Sequence, residues 1–566
     1  MPTSSAISYG SLSTSTGAPR LSGAASKLDT ETIITALYEA KRYPAVRLEK
    51  RITENEAKVA AFGELRTLLN DLKGASDGLR NPPGTLGRAA NVFEKKQAFL
   101  TSATAADPNR LLGLTVDNKA LPGRFDIEVN RLAAANKLST LAVAGADTTL
   151  ADAWNGGAAF AGSLDVGLDG GTSATIAIDG TMDIHDLGDA INAQTATTGV
   201  SASVVKVSDT ELRLVLNAKE TGRAITIADA GGIGGGFQTS ELQAPQTAEF
   251  AIDGVTMTRT RNDVSDVIDG LTLNLYQAEP GTKITASVEA SLGDVKEKIV
   301  DFVNAYNAVR DFMGRHDQPQ IDEETGDGLL FGDRTLRDIT SGVSKELSRS
   351  VAGLSTDAVA SLRGIGLKLD AANRLTVDDS VLDNKLLTDL DGVRNVLEFR
   401  STTTSSDLRV AARTNLLADQ DFTVDIVDAD ADGVPESATI DGLNVEIKGQ
   451  RLVGGKGTPY EGLELVWIGK GSTSIQVKAT QGIADRIYNQ LDASLSDLNG
   501  DLSRGVKDLE DRNRNYEDDI TQINERAEKA RAQLIEQFSN MEAALSMAET
   551  MLNQIKAQTE AWSSSN

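Results

Sequence analysis

The sequence predicts a multidomain α+β protein, in which terminal helices form a coiled-coil stalk and β-rich head domains are inserted between them. Near both ends of the chain, apolar residues recur at steps of three and four, which is the period of an amphipathic helix. Through most of the middle they alternate with polar residues between Gly, Asp and Asn turns, which is typical of short strands. A chain of 566 residues, 40% of them apolar, has enough material for several hydrophobic cores.

The chain is expected to begin with a disordered stretch followed by helices. The segment MPTSSAISYGSLSTSTGAPR is rich in Ser, Thr, Gly and Pro, and it contains neither the basic nor the apolar part of a signal peptide. Asp29 or Thr30 can then cap a helix, which Pro44 is expected to break or restart. A second helix is expected to carry an apolar stripe from Leu48 to Leu72.

Changes of hydrophobic period divide the chain into segments. The helical pattern gives way to alternation near Phe93 and returns near Asp294. The expected domains are, in chain order, a disordered N-terminus with a terminal helix (1–45), leg helices (46–94) that pair with 291–400 and 483–505, the first part of a head domain (95–155), a second head domain (156–242), the remainder of the first head domain (243–290), a leg domain (291–400), an inserted β domain (401–482) and a C-terminal coiled-coil helix (483–566).

Two connections are expected within the inserted β domain. The segment FTVDIVDADADGVPESATIDG predicts strands joined by an acidic turn, and GLELVWIGKGSTSIQVKA predicts a hairpin around Gly469–Gly471. The acidic turn begins as a calcium loop does, because Asp428, Asp430 and Asp432 occupy alternate positions and Gly433 follows them.

The acidic turn departs from a complete calcium loop at its end. The last position, where such a loop has a bidentate Glu, is Thr439, and predicted strands rather than helices flank the loop. Glu436 can contribute an oxygen directly or through water. Two interpretations stay open, a structural Ca²⁺ held by Asp428, Asp430, Asp432 and Glu436, or a solvated acidic hairpin without metal. Neither would perform catalysis, and no other cofactor is expected.

The C-terminal segment carries the longest apolar stripe. From Val506 to Trp562 the stripe steps by three and four when polar Asn513 and Thr559 are counted in register. A continuous helix of that length would extend roughly 85 Å. Such a helix cannot bury its stripe against itself, so it needs the N-terminal helices, other subunits, or both. The pattern alone is equally compatible with an intramolecular coiled coil that has no role in assembly.

Composition excludes several classes of function. With 56 basic and 82 acidic residues the net charge is −26, which disfavours nucleic acid and anionic lipid as partners. Cysteine is absent and histidine occurs only at His185 and His316, so disulfides, thiolate chemistry and most histidine-dependent catalysis are not expected. No membrane insertion and no enzymatic activity are predicted. The chain is expected to be cytoplasmic, or to leave the cell by a route that recognises an unfolded N-terminus.

The segment LSGAASKLDTETIITALYEAKRYPAVRL resembles the start of the flagellar hook-associated protein 2 family, the filament cap. The chain departs from the family pattern at Lys27 and Tyr38. Further similar segments follow in the family's order: GRFDIEVNRLAAANKL, AEFAIDGVTMTRTRNDVSDVIDGLTLNL, IVDFVNAYNAV, LFGDRTLRDI and IGLKLDAANRLTVDDSVL. The residues of the first segment that match the pattern are Ser22, Gly23, Leu28, Asp29, Thr30, Ile33, Ile34, Leu37 and Pro44.

The resemblance implies a structural protein at the distal tip of the bacterial flagellar filament. Such proteins are secreted through the flagellar export system and form a ring-like homo-oligomer, roughly pentameric, that guides flagellin folding and insertion. The implied partners are other copies of the chain, flagellin, hook-associated junction proteins and a flagellar export chaperone. The interface residues expected on the terminal helices are Leu28, Ile33, Ile34, Leu37, Phe538, Met541, Leu545, Leu552, Ile555 and Trp562.

Two alternatives to the filament cap are kept open. Another axial protein of the same export system, of flagellin or junction type, also has paired terminal helices. A calcium-dependent surface adhesin would use the β domains for cell adhesion.

Overall fold

The computed structural model describes residues 11–13, 20–22, 26, 28–83, 90–104, 107–158, 160–233, 237–316, 318–322, 325–352, 354, 359–413, 417 and 419–563. The N-terminal stretch expected to be disordered therefore lies largely outside the described residues. The chain forms two compact units, one of residues 1–83 with 298–566 and one of residues 84–297. The predicted fold class is confirmed, since long helices stand near both ends of the sequence and every described sheet except one N-terminal strand pair lies between them. No helix in the described ranges is long and apolar enough to cross a bilayer.

The first long helix is continuous. Strands β1 (Ser11–Ser13) and β2 (Arg20–Ser22) pair antiparallel and precede helix α1 (Thr30–Asp77). Asp29 caps α1, and the hydrogen bond that its side chain accepts from Thr32 lowers the pKa of the carboxyl group. The break expected at Pro44 does not occur. Proline removes one backbone hydrogen bond, but Ala45 beside it is fully buried, so packing holds this part of the chain helical.

The unit of residues 84–297 is built from short strands in antiparallel sheets. Its elements are β3 (Lys96–Ser102), α2 (Pro108–Leu111), β4 (Leu112–Val116), β5 (Gly123–Arg131), β6 (Ala135–Thr140), α3 (Leu150–Asn155), β7 (Gly162–Leu168), β8 (Ser173–Ile178), α4 (Ile184–Ala193), α5 (Thr195–Thr198), β9 (Val200–Ser208), β10 (Glu211–Thr221), β11 (Ile225–Gly231), β12 (Thr239–Gln243), β13 (Ala248–Ile252), β14 (Val255–Arg259), β15 (Asp263–Val264), β16 (Leu271–Leu275) and β17 (Lys283–Ala290).

This unit contains two principal hydrophobic cores. In one, the five-stranded sheet β14-β13-β5-β17-β3 and the three-stranded sheet β15-β16-β4 contribute buried residues such as Phe250 and Leu273. In the other, the sheets β12-β6-β10-β9 and β11-β7-β8 share a core with helix α4, centred on Phe160 and Leu214. The alternation read from the sequence therefore marks real strands, most of them with one face turned to a core.

Helices return after β17. They are α6 (Leu292–His316), α7 (Arg334–Ser348), α8 (Asp379–Thr388) and α9 (Leu390–Leu397), with the short hairpin β18 (Leu367–Leu369) and β19 (Leu375–Val377) before α8. The sequence predicts a single helix where α8 and α9 lie. Two form because Asp389 ends the first and caps the second, its side chain accepting a hydrogen bond from the Gly392 N–H.

The inserted segment is a β-sandwich. Its strands are β20 (Arg400–Thr403), β21 (Leu408–Ala412), β22 (Gln420–Val427), β23 (Ser437–Ile440), β24 (Leu443–Asn444), β25 (Glu446–Lys448), β26 (Arg451–Val453), β27 (Glu464–Trp467) and β28 (Thr473–Thr480). Strands β20-β28-β22-β23-β24 form one sheet and β21-β27-β26-β25 form the other. The two sheets share a core that includes Phe422, Trp467 and Val477.

One predicted connection in the sandwich is confirmed and one is wrong. Strands β22 and β23 pair antiparallel across the acidic turn, as expected. The hairpin expected around Gly469–Gly471 does not form, because β27 and β28 belong to different sheets. The turn carries the chain from one sheet to the other, so that Trp467 and Ile475 are both buried in the shared core.

The chain ends in helices α10 (Ile483–Leu495) and α11 (Asp501–Ser563). The long C-terminal helix predicted by the apolar stripe is thus confirmed. The sandwich joins α9 and α10 at a narrow neck, where Gly482 passes so close to Leu397 that a Cβ would lie 2.2 Å from its carbonyl carbon. The finer division into domains expected from the sequence stays a prediction.

A buried ionic cluster secures this neck. The carboxylate of Asp485 is fully buried and accepts hydrogen bonds from Arg413 at 2.6 Å and from Gln481 at 3.0 Å. Arg80, at the end of α1, approaches the same carboxylate at 3.4 Å and stacks on the Tyr488 ring. Burial lowers the pKa of the Arg413 guanidinium, and the Asp485 charge opposes that shift. Three segments distant in sequence therefore meet on one carboxylate.

We expect Asp485→Ala to lower the free energy of unfolding of the unit formed by residues 1–83 and 298–566 by about 3–5 kcal/mol. The substitution leaves Arg413 buried without its counter-charge. Urea unfolding followed by circular dichroism at the helical band measures this. The matched control is Asp492→Ala on the same helix, which removes a partly exposed ion pair with Lys73 and should cost no more than about 1 kcal/mol. Equal losses in the two variants would contradict the role given to the cluster.

Candidate functional site

The two terminal helices, α1 and α11, pack side by side in antiparallel order. Polar contacts along the pair fix its register. The partner residues on α11 have falling numbers as those on α1 rise, as antiparallel helices require. From the N-terminal end of α1 to its C-terminal end, the contacts are Ser26 with Glu542, Tyr38 with Arg531, Arg42 with Asn524, Arg51 with Tyr516, Asn55 with Asn513 and Arg66 with Ser503. A pair of helices held by so many side-chain contacts has one preferred register.

Tyr38 contributes two of the contacts that hold this register. Its ring lies under the Arg531 guanidinium, with 5.3 Å from the guanidinium carbon to the ring centroid. A hydrogen bond to Glu528 raises the pKa of the Tyr38 hydroxyl. Tyr38 is one of the two positions that depart from the family pattern seen in the sequence, and here it joins α1 to α11.

Burial along the helix pair is uneven. Near the C-terminal end of α1, where α1 lies against both α10 and α11, the side chains of Phe62, Leu65 and Leu69 are fully buried. Between residues 46 and 60 of α1 no side chain is fully buried. Two helices alone cannot enclose an apolar stripe, so the pair is anchored at one end and thinly covered along the rest of its length.

The predicted N-terminal interface residues divide into exposed and buried ones. Leu28, Ile33 and Leu37 are 49%, 36% and 44% exposed, so they are available to a partner. Ile34 is 9% exposed and is used within the chain. Tyr43, which the sequence did not single out, is 62% exposed on the same helix.

The predicted C-terminal residues become more exposed toward the end of α11. Phe538 and Met541 are half-buried beside α1, whereas Leu545, Leu552 and Ile555 are 37%, 55% and 59% exposed. The backbone of Trp562 lies within α11, and its side chain is outside the described residues. Beyond Glu542, which meets Ser26, the helix continues for roughly 30 Å.

Two methionines that were not among the predicted interface residues widen this apolar surface. Met547 and Met551 are 70% and 64% exposed. Successive residues are about 100° apart around the helix axis, so the two methionines widen the apolar surface to an arc of roughly 160°. This is wider than the apolar face of an ordinary amphipathic helix. Their spacing of four residues, about one helical turn, is the sequence pattern that could have identified them. We refer to the exposed surface formed by Leu545, Met547, Met551, Leu552 and Ile555 as the free-end patch.

The second predicted site, the acidic loop, lies between β22 and β23. One carboxylate oxygen from each of Asp428, Asp430 and Asp432 can be chosen so that the three atoms lie within 4.8 Å of one another. Glu436 is outside this group and accepts a hydrogen bond from the Ala429 N–H at 2.9 Å. The structure thus brings three of the four predicted ligands together.

Sequence comparisons place the chain among flagellar proteins. A family profile described as the flagellar hook-associated protein 2 C-terminus matches residues 245–550, and the corresponding N-terminus profile matches residues 26–136. A flagellin hook IN motif matches residues 166–220. Helix α1 lies within the N-terminus match, and α11 lies within the C-terminus match except for its last residues.

Individual relatives agree. The A-type flagellar hook-associated protein 2 of Pseudomonas aeruginosa is 28% identical over 400 residues, covering 65% of this chain and 77% of the relative. Flagellar hook-associated protein 2 of Escherichia coli K12 is 26% identical over 396 residues, covering 66% and 78%. The crystal structure of the flagellar cap protein FliD D1-D2-D3 domains from Escherichia coli is 25% identical, with a TM-score of 0.45 over 60% of this chain and 90% of that one.

These matches confirm the resemblance found in the sequence and the flagellar cap class that it implies. They favour neither a flagellin or junction protein nor a calcium-dependent adhesin, and a structural flagellar family is consistent with the expectation of no catalysis. Because the C-terminal profile alone matches more than half of the chain, this protein belongs to the flagellar hook-associated protein 2 family.

Proposed function

We propose that this chain caps the distal end of the bacterial flagellar filament and guides incoming flagellin into place. The observation that carries the proposal is the free-end patch, a wide apolar surface at the end of a helix that the described part of the chain leaves exposed. In a protein of the flagellar cap family, the ends of axial subunits and neighbouring copies of the chain are the partners that fit such a surface.

The proposed action is mechanical. Within the chain, polar contacts such as Arg42 with Asn524 lock α1 to α11 in one register. The free-end patch beyond Glu542 is dominated by apolar side chains, and apolar contacts are non-directional. Such a surface can hold a filament end in several positions of similar energy, so the contact can be released and remade as subunits are added.

The strength of such a contact explains why an oligomer is needed. Burying one Leu, Ile or Met side chain contributes roughly 1.5–3 kcal/mol, and association costs on the order of 4–15 kcal/mol in lost freedom and ordering. The five side chains of one free-end patch therefore give a weak, reversible contact by themselves. Several copies linked in a ring hold the filament end together, because each further contact is made within an existing complex.

The remaining parts of the proposal concern assembly and location. We infer a roughly pentameric ring that contacts flagellin and the hook-associated junction proteins. We also infer secretion through the flagellar export system with the help of an export chaperone. A chain without cysteine, which forms no disulfides before or after passage, supports that route.

A clean deletion of the gene tests the function as a whole. We expect loss of swimming motility, with unpolymerised flagellin released into the medium, because subunits that reach an uncapped end are not retained. Swimming zones and the flagellin content of culture supernatants measure this, with the gene restored in trans as the control. Normal filaments in the deletion strain would contradict the proposal.

The free-end patch is tested by Met551→Ser with Ile555→Ser. We expect this variant to keep its helix content and thermal unfolding, since both side chains are exposed, but to restore little motility. The matched control is Asn553→Ser with Ala557→Ser, two exposed positions of the same spacing on the other side of the helix. Full motility with the first variant, or equal loss with both, would show that the patch does not hold the filament end.

A further inference from the structure

The acidic loop of the inserted sandwich contains a carboxylate whose environment is incomplete. Asp428 is only 1% exposed, unlike Asp430 and Asp432, which are on the surface. Its Oδ2 accepts hydrogen bonds from the Gly471 N–H at 2.8 Å and the Gly433 N–H at 3.2 Å. Its Oδ1 is buried and has no hydrogen-bond partner in the described part of the chain.

A buried carboxylate oxygen without a partner is costly. Removing a charged oxygen from water requires a compensating hydrogen bond or an opposite charge. Among the described residues, no Lys, Arg or His lies within ion-pair distance of Asp428, Asp430 or Asp432. Lys470 stands in the turn that touches Asp428, yet it forms no such pair with the three carboxylates. None of the described residues supplies the charge that this group lacks.

We propose that Asp428, Asp430 and Asp432 hold a Ca²⁺ ion. The three carboxylates can place one oxygen each within 4.8 Å of one another, as ligands of a single ion must be. Oxygen ligands select hard cations, and Ca²⁺ accepts six to eight of them in irregular geometry, whereas Mg²⁺ requires a near-ideal octahedron. The proposal concerns the inserted sandwich alone and does not rest on the capping function.

Backbone geometry shapes the loop around these carboxylates without any contribution from metal. The Asp432 N–H donates to Asp430 Oδ1 at 3.2 Å, and the Val434 N–H donates to Asp432 Oδ1 at 2.7 Å. Gly433 has a φ of +92°, which residues with a Cβ rarely adopt. The loop is thus already folded into the shape in which its carboxylates converge, so ion binding requires little reordering.

The ion would fasten the two sheets of the sandwich at this end. Asp428 follows β22 in the five-stranded sheet, and its main-chain N–H donates to Ser472 Oγ at 3.1 Å. Ser472 and Gly471 belong to the turn that brings the chain from β27, in the other sheet, to β28. Neutralising Asp428 therefore stabilises the meeting point of both turns, and the expected consequence is a sandwich that unfolds at a higher temperature with Ca²⁺.

The test uses the full chain, freed of metal with a chelator and kept in physiological salt to screen its overall negative charge. Thermal unfolding is followed by tryptophan fluorescence, which includes the buried Trp467, while CaCl₂ or MgCl₂ is added. Isothermal titration calorimetry gives the stoichiometry. We expect one Ca²⁺ per chain, an upward shift of the unfolding midpoint, and a dissociation constant of about 10⁻⁴–10⁻³ M, as in extracellular calcium modules.

The test variant is Asp430→Asn with Asp432→Asn. It removes two ligand charges but keeps the side-chain oxygens that accept the loop's hydrogen bonds, so the loop should still fold. We expect at least a roughly tenfold weaker affinity and no calcium-dependent shift. The matched control, Asp518→Asn with Asp519→Asn on the exposed face of α11, removes the same charge and should bind Ca²⁺ as the unaltered chain does.

Three results would overturn the proposal. The first is a chain without saturable Ca²⁺ binding, which would make the loop a solvated acidic turn. The second is equal loss of binding in the test and control variants, which would mean diffuse attraction to an acidic protein. The third is equal affinity for Mg²⁺ and Ca²⁺, which would mean a non-selective counter-ion.

Discussion

The antiparallel pairing of α1 with α11 is the constraint on which the rest of this protein depends. These helices stand at opposite ends of the sequence, so the sheets between them belong to an insertion whose two ends must return to neighbouring positions. The polar contacts from Ser26 with Glu542 to Arg66 with Ser503 allow one register, and the fully buried side chains around Leu65 and Leu69 anchor it. Closing so long a loop costs chain entropy that grows only slowly with its length. The β-rich insertions can therefore be large without weakening the pair.

The two ends of the helix pair differ because the burial of apolar side chains depends on how many helices meet. One end is part of a core, and the other presents an apolar surface to partners. Where α10 joins α1 and α11, apolar side chains are enclosed, and the helices form part of a core. Toward the end of α11 the described residues provide no such enclosure, and Met551 and Ile555 stay exposed. An exposed apolar patch usually marks a site of interaction. The net charge of −26 opposes indiscriminate association of such a chain in solution.

Local periodicity was enough to predict most helices and strands, and the order of the motifs was enough to predict the family. What failed depends on contacts between distant segments. Pro44 does not break α1 because Ala45 beside it is buried, and the turn after Trp467 changes sheets because both flanking strands face one core. The cluster around Asp485 had no sequence signal, since Arg80 and Arg413 lie far from it along the chain. In the acidic loop, spacing identified three aspartates, but only the structure distinguishes buried Asp428 from its exposed neighbours.

Asp485, at the neck of the inserted sandwich, and Asp428, within it, show two ways of burying a carboxylate. At the neck the chain supplies its own cations, and Arg413 and Arg80 satisfy the charge as soon as the segments meet. In the loop no described residue pairs with one oxygen of Asp428, and by our proposal an ion from the surroundings supplies the missing charge. A protein without cysteine has no covalent cross-links with which to stiffen an insertion. If the chain leaves the cell through the flagellar export system, as we propose, a metal acquired afterwards stiffens the sandwich once export is complete.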